Sequence, residues 1–128
     1  MRLLLDTHAL LWVLEGNERL SPAAAEALGD PANEKLVSAV SAYEICLKHR
    51  LGKLPGAAAL ATCFEATIAG IDCTPLPIAL AHAALAGSLD PGHRDPFDGL
   101  LIAQAQIERA AIVSNEALFD SFEVERVW

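Results

Sequence analysis

Short apolar runs alternate along this chain with longer segments in which apolar residues recur at helical spacing. The runs predict buried strands at 3–5, 35–38, 71–74, 111–114 and 125–128. The longer segments predict helices at 7–14, 22–28, 41–51, 57–69, 77–86 and 96–109, with a helical turn at 117–122. Because strands and helices alternate, we expect an α/β fold with a mostly parallel sheet of four to five strands, covered on both faces.

Local signals mark several helix starts. Ser21 precedes Pro22, which is typical of an N-cap residue followed by the first helical position. Ser41 precedes Glu44 by the spacing of a capping box, so we expect the third helix to begin at Ser41. The chain has 128 residues without an evident linker or repeat, which predicts a single domain over 1–128.

Acidic residues stand where the predicted strands end. Asp6 directly follows the first strand, Glu44 lies soon after the second, and Glu116 follows the strand near position 112. The carboxyl ends of parallel strands meet at one edge of a sheet, where ligands bind. Asp95 and Asp98 share the first turn of a later helix. We therefore expect distant parts of the chain to deliver carboxylates to one edge.

Carboxylates that lie close together need a counter-ion. Two such charges about 4 Å apart repel by roughly 4 kcal/mol at an effective dielectric constant near 20. A divalent cation removes this repulsion, and carboxylate oxygens favour Mg²⁺ or Mn²⁺ over Zn²⁺. A water on such an ion can be activated for attack on a phosphodiester. Metal-assisted phosphodiester chemistry at Asp6, Glu44, Asp95 and Asp98 is therefore the leading hypothesis.

Each acid also has an explanation that requires no metal. Helix capping would account for Asp6, for Glu44 through a capping box with Ser41, and for Asp95. Glu44 could instead pair with Lys48 one turn later, and Asp98 suits the helix dipole. Glu116 could simply be a solvated loop residue. The residues alone leave these alternatives open.

The net charge of −8, from nine Lys and Arg against seventeen Asp and Glu, argues against a general nucleic-acid coat protein. Basic residues nevertheless cluster at Lys48, His49, Arg50 and Lys53. Lys48, Arg50 and Arg94 are candidate contacts to a substrate phosphate, and a solvated helix face is an equally good explanation for them.

The cysteines and the apolar runs indicate where the protein resides. Cys46, Cys63 and Cys73 include no CxxC pair, so we expect reduced core residues of a cytosolic protein rather than a zinc site. No apolar run reaches the roughly 18 residues of a membrane span. Asp6 interrupts the first apolar stretch too early for an ordinary signal peptide. We therefore expect a soluble, cytoplasmic protein that does not engage a membrane.

Four sequence blocks carry a family resemblance. They are LLDTH at 4–8, SAVSAYEI at 38–45, RDPFD at 94–98 and IVSNE at 112–116. In this order and at these separations, they resemble the PIN-domain ribonucleases, most closely the VapC-like toxins of bacterial type II toxin–antitoxin pairs. The likeness covers essentially the whole chain.

The resemblance implies a three-layer α/β/α sandwich and a Mg²⁺- or Mn²⁺-dependent endoribonuclease. By position, it implies an acidic triad of Asp6, Glu44 and Asp95, with Asp98 as a fourth acid. Glu116 stands where relatives often carry Asp, so it would reach a metal directly or through a water. Thr7 could supply a hydroxyl to a metal-bound water, and Ser114 would hydrogen-bond the acid cluster.

The resemblance also implies partners. Such toxins act on RNA, are typically homodimers, and are neutralised by a small cognate VapB-like antitoxin that inserts a segment near the acids. An inserted arginine there would compete with the metal.

Three other classes fit the sequence less well. A haloacid-dehalogenase-type phosphatase needs an acid two residues after Asp6, where this chain has His8. A receiver domain needs an acidic pair before the first helix and a lysine after a late strand, and neither is evident. A catalytically silent binding module with the same fold would tolerate broken acids, whereas Asp6, Glu44, Asp95 and Asp98 are all present.

Overall fold

The computed structural model describes residues 1–89 and 95–128, and within them the chain forms five strands, seven α-helices and two 3₁₀ turns. The strands are β1 (Arg2–Leu5), β2 (Glu34–Ser38), β3 (Cys73–Leu76), β4 (Ala111–Val113) and β5 (Arg126–Val127). The helices are α1 (Thr7–Glu15), α2 (Pro22–Gly29), α3 (Ala39–Arg50), α4 (Ala58–Thr62), α5 (Phe64–Ala69), α6 (Leu80–Gly87) and α7 (Pro96–Glu108). The 3₁₀ turns are Pro55–Ala57 and Ala117–Ser121.

The strands form one sheet in the order β3-β2-β1-β4-β5, and every adjacent pair is parallel. Strand β1 is central, with Leu5 paired to Val37 on one side and to Val113 on the other. This confirms the predicted parallel α/β sheet. The residue that follows β1 therefore lies in the middle of the carboxyl edge.

Side chains of the central strand alternate between two hydrophobic cores, as the pleat of a strand requires. Leu3 and Leu5 belong to the first core and Leu4 to the second. Helices α1, α2, α4 and α5 contribute to the first core through Leu10, Leu28, Leu60 and Ile68. Helix α7 contributes to the second core through Leu101, Ile102 and Ala105. Helices thus cover both faces, as expected of an α/β/α sandwich.

Helix α3 begins earlier than predicted. Its N-cap is Ser38, whose hydroxyl oxygen accepts a hydrogen bond from the Val40 backbone N–H at 2.9 Å. The predicted capping box of Ser41 and Glu44 is therefore wrong, because both residues lie inside the helix. Two nearby serines were equally suitable caps, and the one that ends β2 is used. Glu44 is consequently available for tertiary contacts.

Three other boundaries also differ. The helix predicted over 57–69 is two helices, because Cys63 between them has non-helical backbone angles (φ −138°, ψ 64°). The third strand is displaced to Cys73–Leu76, after Asp72 turns the chain with φ +57°. Its Pro75 is tolerated because β3 lies at the edge of the sheet. The helix predicted from Pro77 starts at Leu80.

Across residues 1–89 and 95–128, no helix is both long enough and apolar enough to span a bilayer.

Candidate functional site

Asp6 occupies the centre of the carboxyl edge and is almost fully buried, with 5% of its surface exposed. Its backbone N–H donates to the Val113 carbonyl of β4 at 3.1 Å. Its Oδ1 accepts from the Ala9 N–H at 2.7 Å and so caps α1. The capping explanation of Asp6 is therefore correct, but it uses one carboxylate oxygen and leaves the other for a further contact.

Burial sets the electrostatics of Asp6. Loss of solvation raises the pKa of this carboxyl above its ordinary value. Hydrogen bonds from the Ser114 hydroxyl and the Ala9 N–H oppose the rise, as does His8, while the nearby charge of Glu116 adds to it. A cation beside this carboxylate would stabilise its charged form, which burial disfavours.

Glu44 is the second buried carboxylate, and its two oxygens have different partners. Oε1 accepts from the Thr7 hydroxyl, with Oγ1 at 2.6 Å, and Ser41 Oγ lies 3.2 Å from the same hydroxyl. Oε2 accepts from the Lys48 ammonium at 2.6 Å. Because Thr7 follows Asp6 directly, this bond ties α3 to the start of α1 and places the two acids at the same part of the edge.

Ser114 comes from the end of β4 and is fully buried. Its hydroxyl interacts with Asp6 and lowers the pKa of that carboxyl, and its Oγ accepts from the Glu116 backbone N–H at 3.0 Å. Glu116 itself is exposed. Its charge acts on Asp6 from the solvent side, whereas the buried hydroxyl of Ser114 holds the carboxylate in place.

Asp95 and Asp98 lie at the start of α7. Asp95 is the N-cap, with Oδ1 accepting from the Phe97 N–H at 2.9 Å, and Asp98 is in the first turn. Both are partly buried. The ring of Phe97 lies against Tyr43 of α3, with ring centroids 5.8 Å apart. The start of α7 is therefore a neighbour of the helix that carries Glu44.

The four predicted acids do not form a closed ligand cage. Within the part of the chain that the structure describes, no three His, Cys, Asp or Glu side chains lie close enough together to hold a metal. The structure brings together Asp6 with Ser114, and Glu44 with Thr7 and Lys48. Asp95 and Asp98 lie at the N-terminal end of α7.

The candidate phosphate contacts are distributed along the end of α3. Lys48 is partly buried against Glu44, whereas Arg50 is exposed in the last turn. Arg94 falls outside the described residues.

Gln104 is a residue of α7 that sequence reasoning missed. It is fully buried, and its Oε1 accepts from the Ser38 hydroxyl at 2.5 Å. Its Nε2 donates to the Pro77 carbonyl at 3.2 Å and lies 3.5 Å from His82 Nδ1. Gln104 therefore connects α7 to the N-cap of α3. A lone amide within an otherwise apolar helical stretch is the signal that could have identified it.

The donor set at Asp6 and Glu44 fits a divalent cation. Both residues offer carboxylate oxygens, the type that Mg²⁺ prefers, and Mg²⁺ usually keeps several waters while binding only one or two carboxylates. The described residues contain no group of three metal-binding side chains, which is compatible with an ion that binds two carboxylates and otherwise water. The Lys48 ammonium already forms an ion pair with the Glu44 carboxylate.

Fold and site together define a parallel α/β domain that buries two carboxylates, Asp6 directly after the central strand of the sheet and Glu44 on α3. The chain belongs to the PIN domain family, whose model matches residues 3–124. The predicted resemblance to that family is thereby confirmed. A comparison of the sequence with curated proteins found no match.

The fold is also similar to chains in solved toxin–antitoxin complexes. One is VapBC2 from Rickettsia felis bound to a promoter DNA fragment, with a TM-score of 0.69 and 14% identity over 100% of both chains. A toxin–antitoxin complex from Klebsiella pneumoniae has a TM-score of 0.66 and 19% identity, over 98% of this chain and 95% of that one. FitAcB from Neisseria gonorrhoeae has a TM-score of 0.61 and 20% identity, over 97% and 95%. At these identities the likeness establishes the fold.

Proposed function

We propose that this chain is a divalent-metal-dependent endoribonuclease and the toxin of a toxin–antitoxin pair. The observation that carries the proposal is the burial of two carboxylates in a PIN-domain fold, Asp6 directly after the central strand and Glu44 on α3, where Glu44 accepts a hydrogen bond from Thr7, the residue next to Asp6. Nucleases of this family are hydrolytic and typically use divalent metal ions. Burying a carboxylate is costly, and a bound divalent cation would offset that cost for both acids.

In this proposal, Asp6 and Glu44 hold the metal, with Asp95, Asp98 and Glu116 contributing directly or through waters. The Mg²⁺ or Mn²⁺ supplies an activated water and neutralises charge on the phosphate. The Ala9 N–H and the Ser114 hydroxyl fix the orientation of the Asp6 carboxylate. The Thr7 hydroxyl does the same for Glu44. Hydrogen bonds of this kind hold metal-binding side chains in position, and their loss typically lowers metal affinity or activity by about 10- to 100-fold.

The substrate in this proposal is RNA, which enters along the end of α3. Lys48, Arg50 and Arg94 are the candidate phosphate contacts. These three basic residues belong to a chain whose net charge is −8. Long-range attraction of RNA is therefore weak, and binding depends on short-range contacts. We expect cleavage to favour particular structured RNAs rather than any exposed strand.

The proposed partners are a small VapB-like antitoxin and a second copy of this chain. The support is the similarity of the fold to chains in the VapBC and FitAcB complexes. An antitoxin side chain that carries a cation could neutralise the buried carboxylates and exclude the metal. We expect the toxin to act in the cytoplasm, where its RNA substrates are.

The test is cleavage of total structured RNA by purified protein in Mg²⁺, Mn²⁺ or EDTA. Asp6→Asn removes one ligand while keeping the capping oxygen, and Glu26→Gln, at an exposed position of α2, is the matched control for loss of one negative charge. We expect metal-dependent cleavage that Asp6→Asn lowers by more than about 100-fold and Glu26→Gln leaves unchanged. Equal cleavage by wild type and Asp6→Asn would refute the assignment.

A catalytically silent binding module is the second candidate. The observation in its favour is that the described residues form no group of three metal-binding side chains. If the protein forms a complex with an antitoxin-like partner while neither binding metal nor cleaving RNA, this candidate replaces the nuclease.

A further inference from the structure

Glu44 forms an ion pair with a cation that the protein itself supplies, the ammonium of Lys48. Lys48 Nζ lies 2.6 Å from Oε2, one helical turn further along α3. The Glu44 side chain is 10% exposed, whereas that of Lys48 is 35% exposed. The carboxylate is thus fixed in the protein interior, and the ammonium approaches it from the solvent side.

The other oxygen of Glu44 is held by a neutral donor. Thr7 Oγ1 lies 2.6 Å from Oε1, so the hydroxyl satisfies that oxygen without supplying charge. Within residues 1–89 and 95–128, the positive group recorded on Glu44 is the Lys48 ammonium at Oε2, and a divalent ion that binds Glu44 meets it there. An ammonium and a divalent cation on the same oxygen repel strongly, since both lie in a partly buried environment of reduced dielectric constant.

We propose that Lys48 is a built-in counter-ion of Glu44 that a divalent metal has to displace, so that Lys48 sets the metal affinity of the site. This inference rests on the proposed function, because it takes Asp6 and Glu44 as the metal-holding acids. The lysine balances a buried charge while no metal is present. Its four-carbon stem is flexible, and its exposed position gives the ammonium room to move into solvent. Once displaced, the ammonium is free to meet the substrate phosphate.

An ordinary surface pair between residues four apart on a helix would behave differently. Such pairs are weak and carry no consequence for a third charge. Here one partner is buried and is a proposed metal ligand, so removing the lysine must change how that ligand receives a metal. The direction of the change in metal affinity distinguishes two roles. If Lys48 helps to build the site, its removal lowers the affinity for metal. If Lys48 competes with the metal, its removal raises that affinity.

The experiment is a Mn²⁺ titration of wild type, Lys48→Gln, Lys48→Arg and Lys53→Gln, followed by calorimetry and by the electron paramagnetic resonance signal of free Mn²⁺. Lys53→Gln removes one positive charge from an exposed position just after α3 and so controls for the change in net charge. We expect Lys48→Gln to bind Mn²⁺ on the order of tenfold more tightly than Lys53→Gln. Lys48→Arg keeps a cation on Glu44, and we expect it to stay within about threefold of wild type.

A second measurement uses the wild-type protein, so it tests displacement of Lys48 by the metal even if Lys48→Gln does not fold. The ¹⁵N resonance of the Lys48 ammonium is sensitive to its ion pair with Glu44. Mg²⁺ is used instead of Mn²⁺ because it is diamagnetic and does not broaden that resonance. We expect the Lys48 resonance to shift as Mg²⁺ is added while the Lys53 resonance does not move.

The outcomes separate this inference from the proposed function. Equal or weaker Mn²⁺ binding by Lys48→Gln than by Lys53→Gln, or a Lys48 resonance unaffected by Mg²⁺ that binds, overturns the inference and leaves the metal site intact. Failure of every variant to bind Mn²⁺, including Lys48→Gln, overturns both this inference and the metal-dependent mechanism.

Discussion

The contact between Thr7 and Glu44 provides the sharpest prediction about the stability of the site. Thr7→Val replaces a hydroxyl by a methyl group of nearly the same shape, so the packing around this buried residue changes little. The Oγ1–Oε1 bond of 2.6 Å disappears, and the buried Glu44 loses a donor. Thr7→Ser is the matched control because it keeps the hydroxyl and removes only a methyl group.

The size of the effect follows from the charge on the acceptor. A hydrogen bond to a charged group contributes about 1.5–3 kcal/mol to stability. Glu44 keeps Lys48 as a partner on its other oxygen, so the loss should lie near the middle of that range, about 2 kcal/mol. For a domain of this size, that corresponds to a fall in Tm of roughly 5–10 °C.

The assay is urea unfolding at pH 7 without divalent metal, with the slope of the transition measured for each variant. We expect Thr7→Val to lower the free energy of unfolding by about 2 kcal/mol with an unchanged slope, and Thr7→Ser to lose less than half as much. If Thr7→Val unfolds within about 0.5 kcal/mol of wild type, the hydroxyl does not hold Glu44 and the description of the site is wrong.

Four further predictions concern the helix cap at Asp6, the pKa of Asp6, the contacts of Gln104 and metal binding. Asp6→Ala should be less stable than Asp6→Asn by about 1 kcal/mol in urea unfolding, because only asparagine can still cap α1; equal stability would show that the cap contributes nothing. Since burial raises the Asp6 pKa in the folded state, wild type should lose stability relative to Asp6→Asn as the pH rises above the ordinary carboxyl value of 3.8, and a difference independent of pH would contradict this. Gln104→Leu should cost about 2–4 kcal/mol, because it leaves the Ser38 hydroxyl and the Pro77 carbonyl without their partner, and a loss below about 1 kcal/mol would count against this bridge. Mn²⁺ should raise the Tm of wild type and leave that of Asp6→Asn nearly unchanged, whereas equal rises would place the ion elsewhere.

The central part of the fold was predictable because its signals are local. The apolar run before Asp6 predicts a buried strand, and the same pattern near Ile112 predicts its neighbour. Parallel strands then place Asp6 and Ser114 at the same edge of the sheet, because Leu5 and Val113, which precede them, are paired. Pro96 after Asp95 likewise predicted the start of α7, since both residues act at the helix N-terminus.

Competition between equal local signals explains the errors. Ser38 and Ser41 both suit an N-cap, and Ser38, which ends β2 and bonds to Gln104, is the one that caps α3. The break at Cys63 has no proline or glycine to announce it. Helices α4 and α5 on either side of it contribute Leu60 and Ile68 to the same core.

The contacts of the site were the least predictable part. Nothing local links Thr7 to Glu44, because their bond depends on how α1 and α3 pack together. The predicted gathering of Asp95 and Asp98 with Asp6 rested on topology. That Asp95 and Asp98 share one ion with Asp6 stays a prediction, because it depends on side-chain positions that topology does not determine.

Mn²⁺ binding to Asp6→Asn, Glu44→Gln and the double variant tests the central claim most directly. The claim is that these two buried acids hold one divalent cation together. We expect wild type to bind Mn²⁺, each single variant to bind it at least about tenfold more weakly, and the double variant to lose less than the sum of the two losses, because either change already disables the shared site. Wild-type affinity in both single variants, or no binding by wild type, would contradict the account.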